Sequence, residues 1–236
     1  FCGSELEVKQ VASVAAQLGK KRIMTETFAC SGYDVTPKEL KSIAEFQYFG
    51  GVNMTCQHLY PYSVAGRGRI DHPPVFGPHG NWNEGFKAFN DYFARLSYII
   101  TNTEEKPEIG VIHPISDIWL DYIRSEDEKS VRETEERFNE FMTVLRNNGV
   151  SYHFIDERIL SRHGKVENGV LKVGKSVYNT VIVPKMRNIA SSVYEILKDF
   201  DGKLCVIDKP IYIDGKREEI SLVGNTTLEE IIDGGW

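Results

Sequence analysis

Along the first hundred positions, apolar residues recur first at helical and then at strand spacing, and the alternation repeats. In "ELEVKQVASVAAQLG", Leu6, Val8, Val11, Val14, Ala15 and Leu18 fall largely three or four apart, which predicts an amphipathic helix closed by Gly19. "RIMTE" is short and apolar and predicts a strand. Thr36, Pro37 and Glu39 supply an N-cap, a first-turn proline and a capping-box acid. They predict a helix over "PKELKSIAEFQYFGG", ended by Gly50 and Gly51. "VNMTCQHLY" predicts a second strand. The segment "PYSVAGRGRIDHPPVFGPHGNWN" is too rich in Gly and Pro for regular structure, and loops of such length inside compact domains are usually functional. After it, "NEGFKAFNDYFARLSYIIT" lines up Phe86, Phe89, Phe93, Leu96 and Ile100 on one wide face, predicting a well-packed helix.

Around "NTEEKPE" the composition turns charged and loose, as in a linker, and a domain boundary is placed between 103 and 104. The pattern then restarts. "EIGVIHP" predicts a strand, residues 129–148 a charged helix ending at Gly149, and "VSYHFID" another strand. "GKVENGVLKVG" predicts a hairpin with Asn168-Gly169 at its tip. "SVYNTVIVP" reads as a core strand, "NIASSVYEILKDF" as a helix and "GKLCVID" as a further strand. Strands alternating with helices predict an α/β fold with a parallel sheet covered on both faces, a flavodoxin-like or Rossmann-like unit over 104–236. Residues 1–103 offer only two parallel strands with three helices. Parallel strands need cover on both faces, so these residues are expected to be the end of a larger α/β domain.

Composition narrows the class. The chain has 236 residues, 41% of them apolar, which suits a globular protein with a core. No apolar run approaches the roughly eighteen residues of a membrane span, and "FCGSELEVKQ" lacks the basic start and apolar middle of a signal peptide. A soluble protein is expected, with the cytoplasm preferred to secretion or the periplasm. A net charge of -6 argues against a general nucleic-acid binder. Cys2, Cys30, Cys56 and Cys205 are scattered without CxxC spacing, so free thiols are expected rather than a zinc site or a disulfide framework.

In sheets of parallel strands with a barrel closure, functional side chains sit at the carboxyl ends of strands. Glu26 falls there, followed on the next strand by Gln57, His58, Tyr60 and Tyr62. A carboxylate at a strand end suits a glycosidase nucleophile or general base; pairing with Arg22 or capping a helix is the structural alternative. His58 could hydrogen-bond a sugar hydroxyl or orient the carboxylate, or simply be structural. Tyr60, Tyr62, Phe76 and Trp82 could offer flat apolar faces to a sugar ring, or serve packing. Other signals are weak: "GRGRIDH" lacks a P-loop context, "IHP" does not open a dinucleotide turn, and His72 with His79 make a poor metal site. "RSEDEKSVRETEERF" reads as a solvated helix face.

The order of these motifs resembles that in glycoside hydrolases of the α-L-rhamnosidase kind, family 106. "EVKQVASVAAQLGKKRIMTETFACSGYDVTPKELKSIAEFQYFGGVN" followed by "HLYPYSVAGRGRIDHPPVFGPHGNWNEGFKAFNDYFARLSYIIT" looks like the last two repeats of their (β/α)8 TIM barrel. "KPEIGVIHPISDIWL" looks like the start of the flavodoxin-like domain that follows it. The resemblance implies Glu26 as catalytic carboxylate with Phe28 beside it, and His58 with Tyr60 at the sugar, where Tyr62 and Trp82 are the further aromatic candidates. It further implies a carbohydrate partner, a possible homo-oligomer, and calcium, for which no ligands can be assigned. Barrel followed by flavodoxin-like domain also occurs in β-galactosidases of family 42. Two departures stand out: "TETF" replaces a pattern that more often carries Ala beside the Glu, and the second strand ends in "QHLYPYS". The chemistry needs a second, protonated acid from an earlier strand, to which no residue of this chain can be assigned. Two other classes compete with a hydrolase. One is a non-catalytic carbohydrate-binding or sensing protein; the other is a small-ligand site on the flavodoxin-like half.

Overall fold

In the computed structural model, which describes residues 4–80, 83–122 and 128–234, helices and parallel strands alternate along the chain. Two units separate: Phe1–Ala15 with Lys20–Glu105, and Ala16–Gly19 with Lys106–Trp236.

The first unit runs α1 (Glu5–Gln17), β1 (Met24–Thr27), α2 (Pro37–Phe49), β2 (Met54–Gln57) and α3 (Asn83–Thr101). The capping box forms as predicted. Thr36 Oγ1 accepts from the Glu39 amide while the Glu39 carboxylate accepts from the Thr36 amide, so two end groups that would lack partners are satisfied. β1 and β2 pair in parallel, Met24 beside Met54 and Glu26 beside Cys56. One face of this ribbon meets α2: Thr25 Oγ1 donates to Gln47 Oε1, and Gln47 Nε2 donates to Thr27 Oγ1, both at 3.0 Å. Side chains alternate along a strand, so Met24, Glu26, Met54 and Cys56 belong to the opposite face, and all four are exposed.

The core of this unit gathers Val8, Phe28, Leu40, Ala44, Tyr48, Val52, Phe76 and Phe93. In α3 only Phe93 is fully buried. Phe86, Phe89, Leu96 and Ile100 are half-covered and Tyr98 and Ile99 are exposed, so that helix is less enclosed than its apolar stripe predicts. The long loop is also more ordered than its Gly and Pro content predicts, with a 3-10 turn at Gly66–Arg69.

The second unit begins with β3 (Ile109–Ile112), α4 (Ile115–Asp121), α5 (Glu128–Asn147), β4 (Tyr152–Ile155) and α6 (Glu157–His163). An antiparallel sheet follows from β5 (Gly164–Glu167), β6 (Val170–Val173) and β7 (Ser176–Tyr178), and then β8 (Thr180–Val183), β9 (Asn188–Ile189), α7 (Ser191–Lys198), β10 (Lys203–Val206), β11 (Tyr212–Ile213), β12 (Lys216–Arg217) and α8 (Leu228–Asp233). β3, β4, β8 and β10 form a parallel sheet in the order β10-β8-β3-β4. The run "SVYNTVIVP", predicted as one strand, is two. β7 pairs antiparallel with β6, the chain turns at Asn179, and β8 enters the parallel sheet. Asn179 holds the turn by donating from its backbone to the Glu108 carbonyl and from its side chain to the Glu108 carboxylate. Gln17, grouped with this unit, is buried and donates to the Phe154 carbonyl and the Tyr178 hydroxyl, both at 2.8 Å.

Candidate active site

β1 carries Glu26 one residue before its carboxyl end, on the face turned away from α2. The ladder continues one step past β2, because the His58 amide donates to the Thr27 carbonyl at 2.9 Å. That bond brings the His58 ring alongside the acid. His58 Nε2 lies 3.7 Å from Glu26 Oε1. The imidazole is mostly enclosed, with 19% of its side chain exposed, whereas the carboxylate is 66% exposed. The enclosed ring and the open carboxylate are thus neighbours at a separation longer than a direct hydrogen bond. His58 Nδ1 is buried and has no partner among the described residues.

The loop after β1 folds against the long loop after β2. The Gly32 amide donates to the Pro73 carbonyl at 3.1 Å, and the Tyr33 hydroxyl donates to the Arg69 carbonyl. Cys30 Sγ lies 3.0 Å from His72 Nδ1, and the His72 ring stands edge-on to His58 with centroids 5.6 Å apart. Asp71 flanks the other ring nitrogen of His72 at 3.7 Å. Glu26, His58, His72, Cys30 and Asp71 therefore form one chain of neighbouring polar groups at the carboxyl ends of β1 and β2.

Of the aromatic residues predicted at the sugar, Tyr60 and Tyr62 are exposed, 64% and 102% respectively, and are open to a ligand. Tyr60 also lies over Gly77, where a Cβ would sit 2.1 Å from its ring. Phe28 is placed elsewhere: it is fully buried, its ring 5.8 Å from Phe76 and 6.0 Å from Phe89 by centroids. Phe76 is buried with it, so both rings serve packing rather than a sugar face. Trp82 lies outside the described residues. Sequence spacing gave no hint of Cys30, Tyr33 or Asp71, and His72 was legible only as a metal candidate with His79. Among the described residues no group of three or more His, Cys, Asp or Glu side chains could hold a metal ion.

No family model matches this sequence, and no curated protein matches it. Solved structures do. A rhamnosidase from Novosphingobium sp. PP1Y superposes with a TM-score of 0.62 at 15% identity, over 89% of this chain and 20% of its own. Gan42B, a GH42 β-galactosidase from G. stearothermophilus studied as a catalytic mutant, gives 0.54 at 11% identity, over 93% of this chain and 32% of its own. A β-galactosidase from the psychrophilic Marinomonas ef1 gives 0.52 at 11% identity, over 84% and 31%. The chain thus shares the fold of part of each of these enzymes and spans between a fifth and a third of their length.

Proposed function

We propose that this chain is part of a glycoside hydrolase in which Glu26 is the ionised carboxylate and His58 orients it. In this reading the first unit supplies two neighbouring strand-helix repeats of a (β/α)8 barrel and the second is a flavodoxin-like domain. The carrying observation is the division of the β1–β2 ribbon. α2 covers one face, while Met24, Met54, Cys56 and Glu26 leave the other open. A barrel strand has this division, with helix outside and lumen inside, and places its chemistry at the carboxyl end. Glu26 and His58 stand at that end.

Glycoside hydrolysis needs an ionised carboxylate opposite a protonated acid. The two-stranded sheet contains only β1 and β2, and we assign the acid to a further strand of the complete barrel. If that carboxyl group lies about 5–5.5 Å from Glu26, Glu26 attacks the anomeric carbon. At about 6.5–9.5 Å it acts as a base on water. α-L-Rhamnosides are the first substrate class, from the resemblance and the rhamnosidase-like fold. β-Galactosides are the second, from the likeness to the two β-galactosidases.

The test is turnover of aryl α-L-rhamnosides and aryl β-galactosides by the protein that carries this chain. Glu26→Gln is expected to lower kcat by about 10²–10⁴-fold with the fold intact. Undiminished turnover in that variant would remove Glu26 from the mechanism.

A further inference from the structure

The strand order β10-β8-β3-β4 means that the chain leaves β3 for β4 on one side and later returns to β8 on the other. Crevices in open parallel sheets form outside the carboxyl ends of strands where the order reverses in this way. The second unit has a cleft of about 490 Å³ there, walled by α4, the start of α6, the segment after β8 and the β11–β12 turn.

Its floor is a set of polar groups held in place by one another. The Glu157 carboxylate is buried and accepts from the Ser116 amide, the Ser116 hydroxyl and the Ala190 amide. Asn188 donates to the Ser116 carbonyl and accepts from the Gly215 amide, and Asp214 accepts from the Ser191 amide. Such a floor needs no rearrangement to receive a ligand.

The rim is different, because its groups are unspent. Arg158 and Arg162 lie four positions apart on α6, hence on one face, and both are exposed. Neither guanidinium has an ion-pair partner among the described residues, in a chain whose net charge is -6. The Ser161 and Ser192 hydroxyls are likewise without hydrogen bonds among the described residues. On α4, Trp119 is 58% exposed and Leu120 40% exposed. An indole left open beside two free guanidinium groups offers a flat apolar surface and a forked anion receptor in one cleft.

We propose that this cleft binds a saccharide bearing one acidic group. The ring's CH face lies on Trp119, its hydroxyls meet Ser161, Ser192 and Asp214, and its carboxylate or sulfate meets Arg158 and Arg162. Glu157 and Asp214 disfavour a polyanion such as a nucleoside diphosphate, and the turn after β3, Ile112-His113-Pro114, has no glycine to admit one. The saccharide half of this proposal rests on the hydrolase reading; the anionic half does not.

The experiment follows the Trp119 indole N–H signal of the isotopically labelled chain, assigned through Trp119→Phe, during titration with galacturonate, galactose, sodium sulfate and ADP. Galacturonate is expected to shift that signal saturably, and Arg158→Ala with Arg162→Ala to weaken its binding at least tenfold. Galactose binding as tightly as galacturonate would overturn the anionic half, and sulfate binding as tightly would overturn the saccharide half. Binding by ADP alone would overturn both, and no saturable shift with any probe would remove the site. Glu26→Gln is expected to leave galacturonate binding unchanged, so loss of the hydrolase reading and loss of this one are separately visible.

Discussion

At the scale of single residues, the strand-end acid was legible and its surroundings were not. Glu26 could be found because a short apolar run followed by a loop and a capped helix marks a strand end, a local pattern. His72 and Cys30 are 42 positions apart, and nothing in either neighbourhood specifies their approach. Phe28 shows the converse limit, since the family resemblance implied a role for it at the sugar. Its backbone is instead in the left-handed region, at φ 79°, and the ring turns into the core. Phe28→Ala should therefore destabilise the first unit by about 3–5 kcal/mol, as for other fully buried Phe residues, read as a lowered urea midpoint. Tyr62→Ala, at a fully exposed ring, should leave that midpoint within about 0.5 kcal/mol of the parent while weakening sugar binding. A midpoint unmoved by Phe28→Ala would return that ring to the binding surface.

Elements were legible where their signals are local. The capping box at Thr36, the helix read as 129–148 and found at Glu128–Asn147, and the Asn168-Gly169 hairpin depend on a few adjacent residues. Asn168 and Gly169 both take positive φ, 53° and 76°, which this two-residue turn requires. The division of "SVYNTVIVP" was not legible, because two different sheets claim its halves and apolar residues run through both. The β11–β12 hairpin, which helps to wall the proposed cleft, was missed although Asp214-Gly215 after "IYI" is a hairpin signal of the same kind. Since the cap is local, its loss should be local too. Thr36→Ala is expected to cost about 1 kcal/mol in chemical denaturation of the first unit, and Thr36→Ser close to nothing. Equal losses in the two variants would show that the threonine methyl, not the hydroxyl, is what matters.

At the scale of the molecule, alternating patterns made an α/β fold with parallel sheets legible, whereas strand order was not, since a crossover can place its strand on either side of its predecessor. That order puts two titratable groups beside the central strand of the second unit, and they oppose each other in pH. His113, just after β3, is buried edge-on against Phe138 and Phe154. Burial lowers its pKa below the ordinary value near 6.5, against a weaker upward pull from Asp156. The unfolded chain then takes up the proton first, so stability falls as pH drops below about 6.5, by at most about 1.4 kcal/mol per pH unit. Burial raises the Glu157 pKa, against the hydrogen bonds from Ser116 and Ala190 that favour its charged form. Its contribution has the other sign: stability grows as pH falls through the raised value toward that of an ordinary carboxyl group. Glu167, Asp214 and Glu230, whose pKa values are lowered by their hydrogen bonds, add a further loss of stability at lower pH. His113→Phe keeps an aromatic ring in the same packing and removes the titratable group. Urea midpoints at pH 7.5, 6 and 5 should therefore show the variant gaining on the parent at each step below pH 6.5. A stability difference that stays constant across that range would mean that His113 does not carry the acid sensitivity of this unit.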